Sequence, residues 1–286
     1  MKRRLLLFGA GGKLGTALKL AFADGYELIC VGPETDVTDA DAVRAVVTAS
    51  RPDLVCNAKV VGGVDFCERE LLLSHQINTR LPALLAGLSA ELGFTLVHFS
   101  SESLFPDCAP GSWHTESSPV VPLNVYALTK FGADCLVQDI TPYAYVLRLS
   151  LQFGPRPAGA TQFVERMIER AQNGAETLRV SSDVICTPSY SLDVAARVRS
   201  MVEDGLPFGL YHVANQGQAS LFELLSTAVD LLGLPTRVEP VPAATFPSVG
   251  RRSSITPIRS EKIPPLRPWQ EALADFCSKL QEGKGS

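Results

Sequence analysis

Short apolar runs alternate with amphipathic segments along the first half of the chain. The apolar runs cover residues 5–8, 26–31, 53–58, 94–99 and 145–149, and helix-forming segments separate them. Buried strands that alternate with helices in this way are typical of parallel sheets with helical crossovers. The pattern predicts the α/β fold class, with a Rossmann-type doubly wound parallel sheet.

The helical segments differ in regularity. A helix is predicted over residues 38–49, and residues 122–137 form a good amphipathic helix. Residues 66–92 form a long helical region, which Asn78 and Pro82 interrupt.

After residue 149 the alternation loosens. Helices are predicted at 161–173, 193–203 and 220–233, and short strands at 178–180, 185–190 and 209–213. The tail from Pro235 is rich in proline and basic at Arg251 and Arg252. We therefore predict a Rossmann domain at residues 1–149 and a smaller C-terminal domain at 150–286. Part of the latter, about 183–215, is expected to return to the Rossmann core.

Composition and charge narrow the class of function. Of the 286 residues, 46% are hydrophobic and 20% are charged, as in an ordinary soluble globular protein. The net charge of -4 offers no basic face for nucleic acid. No apolar run approaches the roughly 20 residues that cross a bilayer, and the basic start lacks a signal-peptide cleavage pattern. We expect a cytoplasmic protein that binds neither nucleic acid nor a membrane.

The cysteines and histidines form no metal-binding or disulfide pattern. The seven cysteines are scattered without close pairs, and the four histidines lie far apart. An odd, dispersed set of cysteines is typical of reduced core thiols. We expect no metal site.

A glycine-rich turn follows the first predicted strand. Gly9, Gly12 and Gly15 come at three-residue spacing, directly before a helix-forming segment. In a dinucleotide site, the first glycine permits the turn, the second lets a diphosphate approach, and the third allows close helix packing. The diphosphate lies at the positive end of the helix. We assign these glycines, with Lys13 and Leu14 between them, to a dinucleotide; the alternative is a purely structural turn.

The end of the second predicted strand normally contacts the adenosine ribose, with an acid for a free 2'-hydroxyl or an arginine for a 2'-phosphate. We assign Asp36 to this contact, with Glu34 as the alternative. Either residue could instead be a solvated loop acid, and Asp36 could cap the helix at 38–49. Because no arginine or lysine lies between Val31 and Asp39, we expect a weak cofactor preference or one for NADH.

Polar residues also follow the third and fourth predicted strands. Asn57 ends the third, and Ser100 and Ser101 follow the fourth, at the edge where open parallel sheets bind ligands. The serines could equally cap turns. Tyr126 and Lys130 are four residues apart and share one face of the next helix. An ammonium beside a phenol makes the phenol a usable proton donor near neutrality, and the lysine can also hold a nicotinamide ribose.

Seven further segments carry recognisable motifs: RPDLVCNA (51–58), VDFCE (64–68), HFSSESLF (98–105), PLNVYALTK (122–130), VLRLS (146–150), TPSYSLDVA (187–195) and GLYHVAN (209–215). With the glycine turn, they resemble the extended short-chain dehydrogenase/reductase superfamily and, within it, the dTDP-4-dehydrorhamnose reductase family. The resemblance covers nearly the whole chain. It implies a nicotinamide cofactor, NADP or NAD, and reduction of the C4 ketone of a nucleoside-diphosphate 6-deoxyhexose. It also implies an NAD(P)-binding first domain, a mainly substrate-binding second domain, and is compatible with a homodimer.

The resemblance also assigns roles to residues. Tyr126 would be the general acid, Lys130 its electrostatic partner and ribose ligand, and Ser101 would stand where the family has a catalytic threonine. Further cofactor contacts would come from Asn57, Ala58, Lys59 and Ser100, and substrate contacts from Glu102, Ser103, Leu151 and Arg252.

Several positions depart from the family pattern. The family's Ser-Thr-Asp-Tyr reads Ser-Ser-Glu-Ser at 100–103, which removes an aromatic side chain from the sugar site. Leu151 replaces a tryptophan that stacks on the substrate, and Lys59 puts a charge beside the nicotinamide site. Around Arg252 only part of an Arg-Pro pattern remains. A nucleotide-sugar epimerase or dehydratase, or a non-catalytic NAD(P)-binding regulatory subunit such as the beta subunit of methionine adenosyltransferase, are the alternatives.

Overall fold

The computed structural model describes residues 2–155 and 162–282. In the first half, strands and helices alternate in the order β1 (Arg3–Phe8), α1 (Lys13–Phe22), β2 (Tyr26–Cys30), α2 (Ala40–Ser50), β3 (Leu54–Asn57), α3 (Val64–Arg69), α4 (Leu71–His75), a π-helical turn (Gln76–Arg80), α5 (Leu81–Leu92), β4 (Thr95–Ser101), a 3-10 turn (Glu102–Leu104), α6 (Val125–Ile140) and β5 (Ala144–Leu149).

Shorter elements follow in the second half. They are β6 (Gln152–Phe153), α7 (Phe163–Gln172), β7 (Thr177–Ser181), β8 (Ile185–Cys186), β9 (Ser189–Tyr190), α8 (Ser191–Glu203), β10 (Gly209–Val213), β11 (Asn215–Gln216), β12 (Ala219–Ser220), α9 (Leu221–Leu231), β13 (Arg237–Val241), a 3-10 turn (Ala243–Thr245), β14 (Leu266–Pro268) and α10 (Trp269–Glu282).

The central sheet of the described residues has six parallel strands in the order β10-β5-β4-β3-β1-β2. Side chains of β1 alternate between its two faces, as in any strand. Leu5 and Leu7 pack in one apolar cluster with residues of α1 and α8, whereas Leu6 and Phe8 pack in another with residues of α2 and α5. A parallel sheet with helices on both faces is the Rossmann-type α/β fold, so the predicted fold class is confirmed.

A third apolar cluster lies in the second half of the chain. It joins side chains of α7, α9 and α10, including Ile168, Leu225 and Phe276. β10 nevertheless pairs with β5 in the central sheet, and Val194 and Val198 of α8 belong to the same cluster as Leu5. In the segment from α8 to β10, α8 therefore packs on one face of the central sheet and β10 adds an edge strand to it.

Some elements differ from the sequence-based expectation. The helical region predicted at 66–92 is interrupted at Glu70, between α3 and α4, and at Asn78, which lies in the π-helical turn. Pro82 does not interrupt it as predicted, because it lies in the first turn of α5, where a missing N–H costs little. α2 is capped by Asp39, whose carboxylate accepts from the N–H of Asp41 at 2.8 Å. Asp36 is therefore not the cap of this helix; its carboxylate accepts from the N–H of Thr38 at 2.9 Å.

The remaining differences lie in the second half. The helix predicted at 161–173 is α7, whose first predicted residue, Thr161, lies outside the described residues. β13 and α10 carry no prediction from the sequence, because the tail is rich in proline and β13 pairs with the distant β7. Within residues 2–155 and 162–282, no helix has the length and apolar character to cross a membrane. No group of three or more His, Cys, Asp or Glu side chains in these ranges could hold a metal ion.

Candidate active site

Two adjoining cavities lie at the carboxyl ends of the strands. The first, of about 200 Å³, is bordered by the glycine turn and by the ends of β3, β4 and β5, and the second, of about 510 Å³, by the turn and the end of β2. Lys59 borders both cavities. Carboxyl ends of strands are the ligand-binding edge of open α/β sheets. The predicted residues bordering the first cavity are Gly12, Lys13, Leu14, Gly15, Asn57, Ala58, Lys59, Ser100, Ser101, Glu102, Tyr126 and Lys130; those bordering the second are Gly9, Asp36 and Lys59.

The glycine turn leaves space on its cavity side. Gly9 has a positive φ of 78°, and a Cβ there would lie 2.5 Å from the carbonyl carbon of Ala58. A Cβ on Gly15 would collide with the carbonyl oxygen of Gly9. At Gly12, by contrast, a Cβ would meet only the Gly9 carbonyl oxygen, at 3.5 Å. Gly9 and Gly15 are therefore required by packing, whereas Gly12 keeps the first cavity open.

The first turn of α1 also suits a dinucleotide. Gly12 is the N-cap, and no side chain caps this end of the helix. The first N–H groups of a helix have no partner within it, and they carry the positive end of the helix dipole. An open backbone cradle with such N–H groups fits a diphosphate, so the residues present fit a dinucleotide cofactor.

Lys13 lies inside this turn and is only 2% exposed. Its ammonium forms an ion pair with the Glu165 carboxylate of α7 at 2.7 Å and donates to the Gln152 carbonyl at 2.5 Å. The other hydrogen bond of the same Glu165 oxygen comes from the N–H of Gly154 at 2.9 Å. The turn is thereby joined to the second half of the chain by a buried ion pair.

Ser101, Tyr126 and Lys130 border the same cavity. Ser101 ends β4 and caps the following 3-10 turn, since its Oγ accepts from the N–H of Ser103 at 3.1 Å. It also donates to the carboxylate of Glu102 at 3.3 Å. Lys130 is 3% exposed, and its ammonium donates to the carbonyl oxygen of Phe99 at 2.5 Å. Ser101 therefore does cap a turn, which was one of its two predicted roles, and it also lies beside Tyr126.

Burial shifts the pKa values of these groups. It raises the pKa of the Tyr126 phenol above its ordinary value, and the Ser101 hydroxyl counteracts this in part. Burial lowers the pKa of Lys130 to about 8 and raises the pKa of Glu102 to about 7. The pKa of the phenol is therefore raised and not lowered as the sequence led us to expect, because desolvation disfavours the phenolate. At neutral pH the phenol is protonated, as a general acid must be.

Three further cofactor candidates lie on strand ends or loops. Asn57 is buried, and its Oδ1 accepts from the N–H of Lys59 at 3.3 Å. Ser100, the last residue but one of β4, is also buried and borders the first cavity. Asp36 borders the second cavity, and the hydrogen bonds from Thr38 lower the pKa of its carboxyl, so that it is ionised near neutrality.

The four substrate candidates are not all brought together. Glu102 borders the first cavity, and the hydroxyl oxygens of Ser103 and Ser101 lie 3.1 Å apart. Leu151 instead packs against the third apolar cluster. Arg252 forms an ion pair with Asp65 at 3.1 Å and is not among the residues that border either cavity. These two placements differ from the expectation because an apolar core and a counter-charge are available nearby.

Sequence reasoning missed Glu165 and Gln152. Glu165 lies on an amphipathic helix, where a carboxylate is usually solvated. A lysine inside a glycine turn was the available signal, since a buried ammonium requires a nearby partner.

Comparisons with known proteins agree with this geometry. A family model described as the RmlD substrate binding domain matches residues 3–282. The chain is 30% identical to a dTDP-4-dehydrorhamnose reductase of Mycolicibacterium smegmatis, over 98% of this chain and 86% of that protein. It is 31% identical to a probable dTDP-4,6-dihydroxy-2-methyloxan-3-one 4-ketoreductase of Streptomyces antibioticus, over 95% of this chain and 94% of that protein.

A similar solved structure is that of dTDP-4-dehydrorhamnose reductase from Bacillus anthracis in complex with NADP. Its TM-score is 0.91 at 25% identity, over 98% of this chain and all of that chain. Because the family match and the 30% identical relative both extend over nearly the whole chain, this protein belongs to the RmlD substrate binding domain family, the dTDP-4-dehydrorhamnose reductase family of extended short-chain dehydrogenases/reductases.

Proposed function

We propose that this protein is an NAD(P)H-dependent oxidoreductase that reduces the 4-keto group of a nucleoside-diphosphate 6-deoxyhexose, as dTDP-4-dehydrorhamnose reductases do. The observation that carries the proposal is that Ser101, Tyr126 and Lys130 border the same cavity as the open glycine turn. The names of the relatives, a reductase and a 4-ketoreductase of dTDP-linked substrates, support it. The NADP complex of the Bacillus anthracis protein supports the choice of cofactor.

The chain's own residues supply the proton chemistry. When bound, NAD(P)H would supply the hydride that reduces the ketone carbon. Ser101 turns its hydroxyl from Glu102 to the ketone oxygen and orients it. Tyr126 donates its phenolic proton to that oxygen as negative charge develops there. The Lys130 ammonium stabilises the phenolate that remains.

The other assignments follow from position. The glycine turn, with Lys13 and Leu14, would hold the diphosphate and Asp36 the adenosine ribose. Asn57, Ala58 and Ser100 would border the nicotinamide. Residues 1–149 would form the NAD(P)-binding domain, and residues 150–286 mainly the substrate-binding domain. Glu102 and Ser103 are the substrate candidates that the geometry favours.

Reduction is tested with the purified protein, each reduced cofactor and a panel of dTDP- and GDP-linked 4-keto-6-deoxyhexoses. We expect loss of the reduced-nicotinamide absorbance with at least one sugar. Tyr126→Phe should lower kcat by roughly a hundredfold to ten-thousandfold, which is the usual contribution of general acid catalysis, with cofactor affinity retained. Tyr143→Phe is the matched control, because Tyr143 is exposed and outside both cavities.

Three results would contradict the proposal. Near-full activity of Tyr126→Phe would remove the assigned acid. Sugar conversion without net cofactor consumption would indicate an epimerase or dehydratase. Tight cofactor binding without reduction of any sugar, together with copurification of a partner enzyme, would indicate a regulatory subunit.

We also infer a cytoplasmic location and a homodimer. All seven cysteines are free thiols, which suits a reducing compartment, and cell fractionation tests this inference. Leu72 of α4 and Leu128 of α6 are 70% and 60% exposed on neighbouring helices, and exposed apolar patches favour association. Light scattering after size exclusion should give twice the monomer mass for the parent protein. For Leu128→Glu it should give the monomer mass.

A further inference from the structure

Three lysines border the two cavities, and two of them already have partners. Lys13 is ion-paired with Glu165 at 2.7 Å, so its charge is balanced. Lys130 donates to the Phe99 carbonyl and feels the charge of the buried Asp134. Neither ammonium is available to neutralise a ligand without leaving a buried partner behind.

Lys59 is different. It is half-buried, and across residues 2–155 and 162–282 its ammonium makes no hydrogen bond or ion pair. An ammonium that borders two cavities without a counter-charge of its own can take one from a ligand. The position therefore favours binding of an anion that comes from outside the chain.

The backbone of Lys59 is held against the glycine turn. A Cβ on Gly9 would lie 2.6 Å from the backbone nitrogen of Lys59, so the two backbones are in close contact. The N–H of Lys59 also donates to Asn57 Oδ1 at 3.3 Å. This anchorage puts the side chain where the two cavities meet.

The junction is also where a dinucleotide has its charge. Asp36, the residue assigned to the adenosine ribose, borders the second cavity, and Tyr126, the residue assigned to the reacting end, borders the first. The diphosphate connects the halves and must cross between the cavities. The N-terminus of α1 contributes only about half a unit of positive charge there, which is less than the diphosphate carries.

We propose that Lys59 binds the diphosphate of the dinucleotide and supplies the main countercharge to it. The inference rests on the proposed function only in requiring that the protein binds NAD(P)H. In this proposal Lys59 is not a ligand of the 2'-phosphate, because such a ligand would lie at the end of β2. The contribution should therefore be equal for NADH and NADPH.

The test is calorimetric titration of NADH, NADPH and ADP-ribose into the parent protein and into Lys59→Met. A charge-assisted hydrogen bond to a phosphate predicts affinity losses of about ten- to a hundredfold. The losses should be the same for all three ligands, and Lys59→Arg should restore most of the affinity. Lys19→Met is the matched control, because Lys19 lies in the last turn of α1, about 10 Å along the helix from Gly12. It should bind each ligand as the parent does.

A loss confined to NADPH would overturn the proposal in favour of a 2'-phosphate contact. A loss for NADH and NADPH without one for ADP-ribose would overturn it in favour of a nicotinamide contact. A change below about twofold for all three ligands would also overturn it. These outcomes are separate from failure of the proposed reduction, because binding is measured without any sugar. Only a parent protein that binds neither dinucleotide would refute both.

Discussion

Replacing Glu165 by glutamine tests the buried ion pair that joins the glycine turn to α7. The carboxylate accepts from Lys13 at 2.7 Å and from the N–H of Gly154 at 2.9 Å. The two side chains are 2% and 6% exposed. The amide in Glu165→Gln has nearly the same shape and can still accept from Gly154, so the change removes charge and little else.

The geometry sets the size of the effect. Two unit charges 2.7 Å apart attract each other by about 6 kcal/mol at an effective dielectric constant of about 20. The retained hydrogen bonds offset part of this loss. Removing one partner of a buried pair typically costs about 3 to 5 kcal/mol, and we expect the free energy of unfolding to fall by that amount.

Urea unfolding followed by circular dichroism measures the loss for Glu165→Gln, for Lys13→Met and for the double variant. The sum of the two single losses in unfolding free energy should exceed the loss of the double variant by about 2 to 3 kcal/mol. This difference is the coupling energy of two groups in direct contact. Glu203→Gln is the control. Its ion pair with Arg199 has a similar length, 2.8 Å, but is 29% and 41% exposed, so it should cost less than about 1 kcal/mol. A Glu165→Gln loss below that value, or additive losses, would refute the reasoning.

Further predictions concern binding and pH. Gly12→Val should leave the protein folded, since a Cβ there meets only one atom, at 3.5 Å, with a small loss of stability because valine is a poorer N-cap than glycine. It should weaken NADH binding at least tenfold in calorimetry; unchanged affinity would remove the turn from the cofactor site. Because the pKa of Lys130 in the free protein is lowered to about 8 and only its charged form stabilises the Tyr126 phenolate, kcat/KM for reduction should fall as the pH rises through about 8; a flat profile of kcat/KM up to about pH 9.5 would contradict this. The pKa of Glu102 is raised to about 7, so the pH profile of kcat/KM should show an inflection near pH 7. This inflection should be absent in Glu102→Gln, while the one near pH 8 persists; if both persist, Glu102 has no role in the reaction. The specificity constants for NADPH and NADH should differ by less than about a hundredfold, roughly 2.7 kcal/mol, and a larger ratio for NADPH would show that a basic residue meets the 2'-phosphate.

Local patterns were sufficient to predict the parallel sheet. Each predicted strand of the first half corresponds to a strand of the structure, because a doubly covered parallel strand must be apolar on both faces. The turn at Gly9 and the one-turn spacing of Tyr126 and Lys130 are equally local features. They depend on backbone conformation and helix geometry, which neighbouring residues determine.

What escaped prediction depends on contacts between distant parts of the chain. The pairing of Lys13 with Glu165 joins residues in opposite halves, and nothing near either residue specifies it. β13 carries a proline and pairs with β7, which is distant from it in the sequence. Arg252 forms an ion pair with Asp65 and does not border either cavity. Asp65 is distant in the sequence, so the pairing depends on the tertiary fold.

The position of β10 has a consequence for synthesis and for fragments of the protein. β5 is buried along its whole length and pairs with β10 on one side and with β4 on the other. A nascent chain that has emerged only as far as Leu149 therefore presents β5 as an unpaired, apolar edge, the kind of surface that recruits other strands. The edge is closed once residues up to Val213 have left the ribosome. We expect a fragment of residues 1–149 to aggregate on expression, because β5 is then left unpaired on one side.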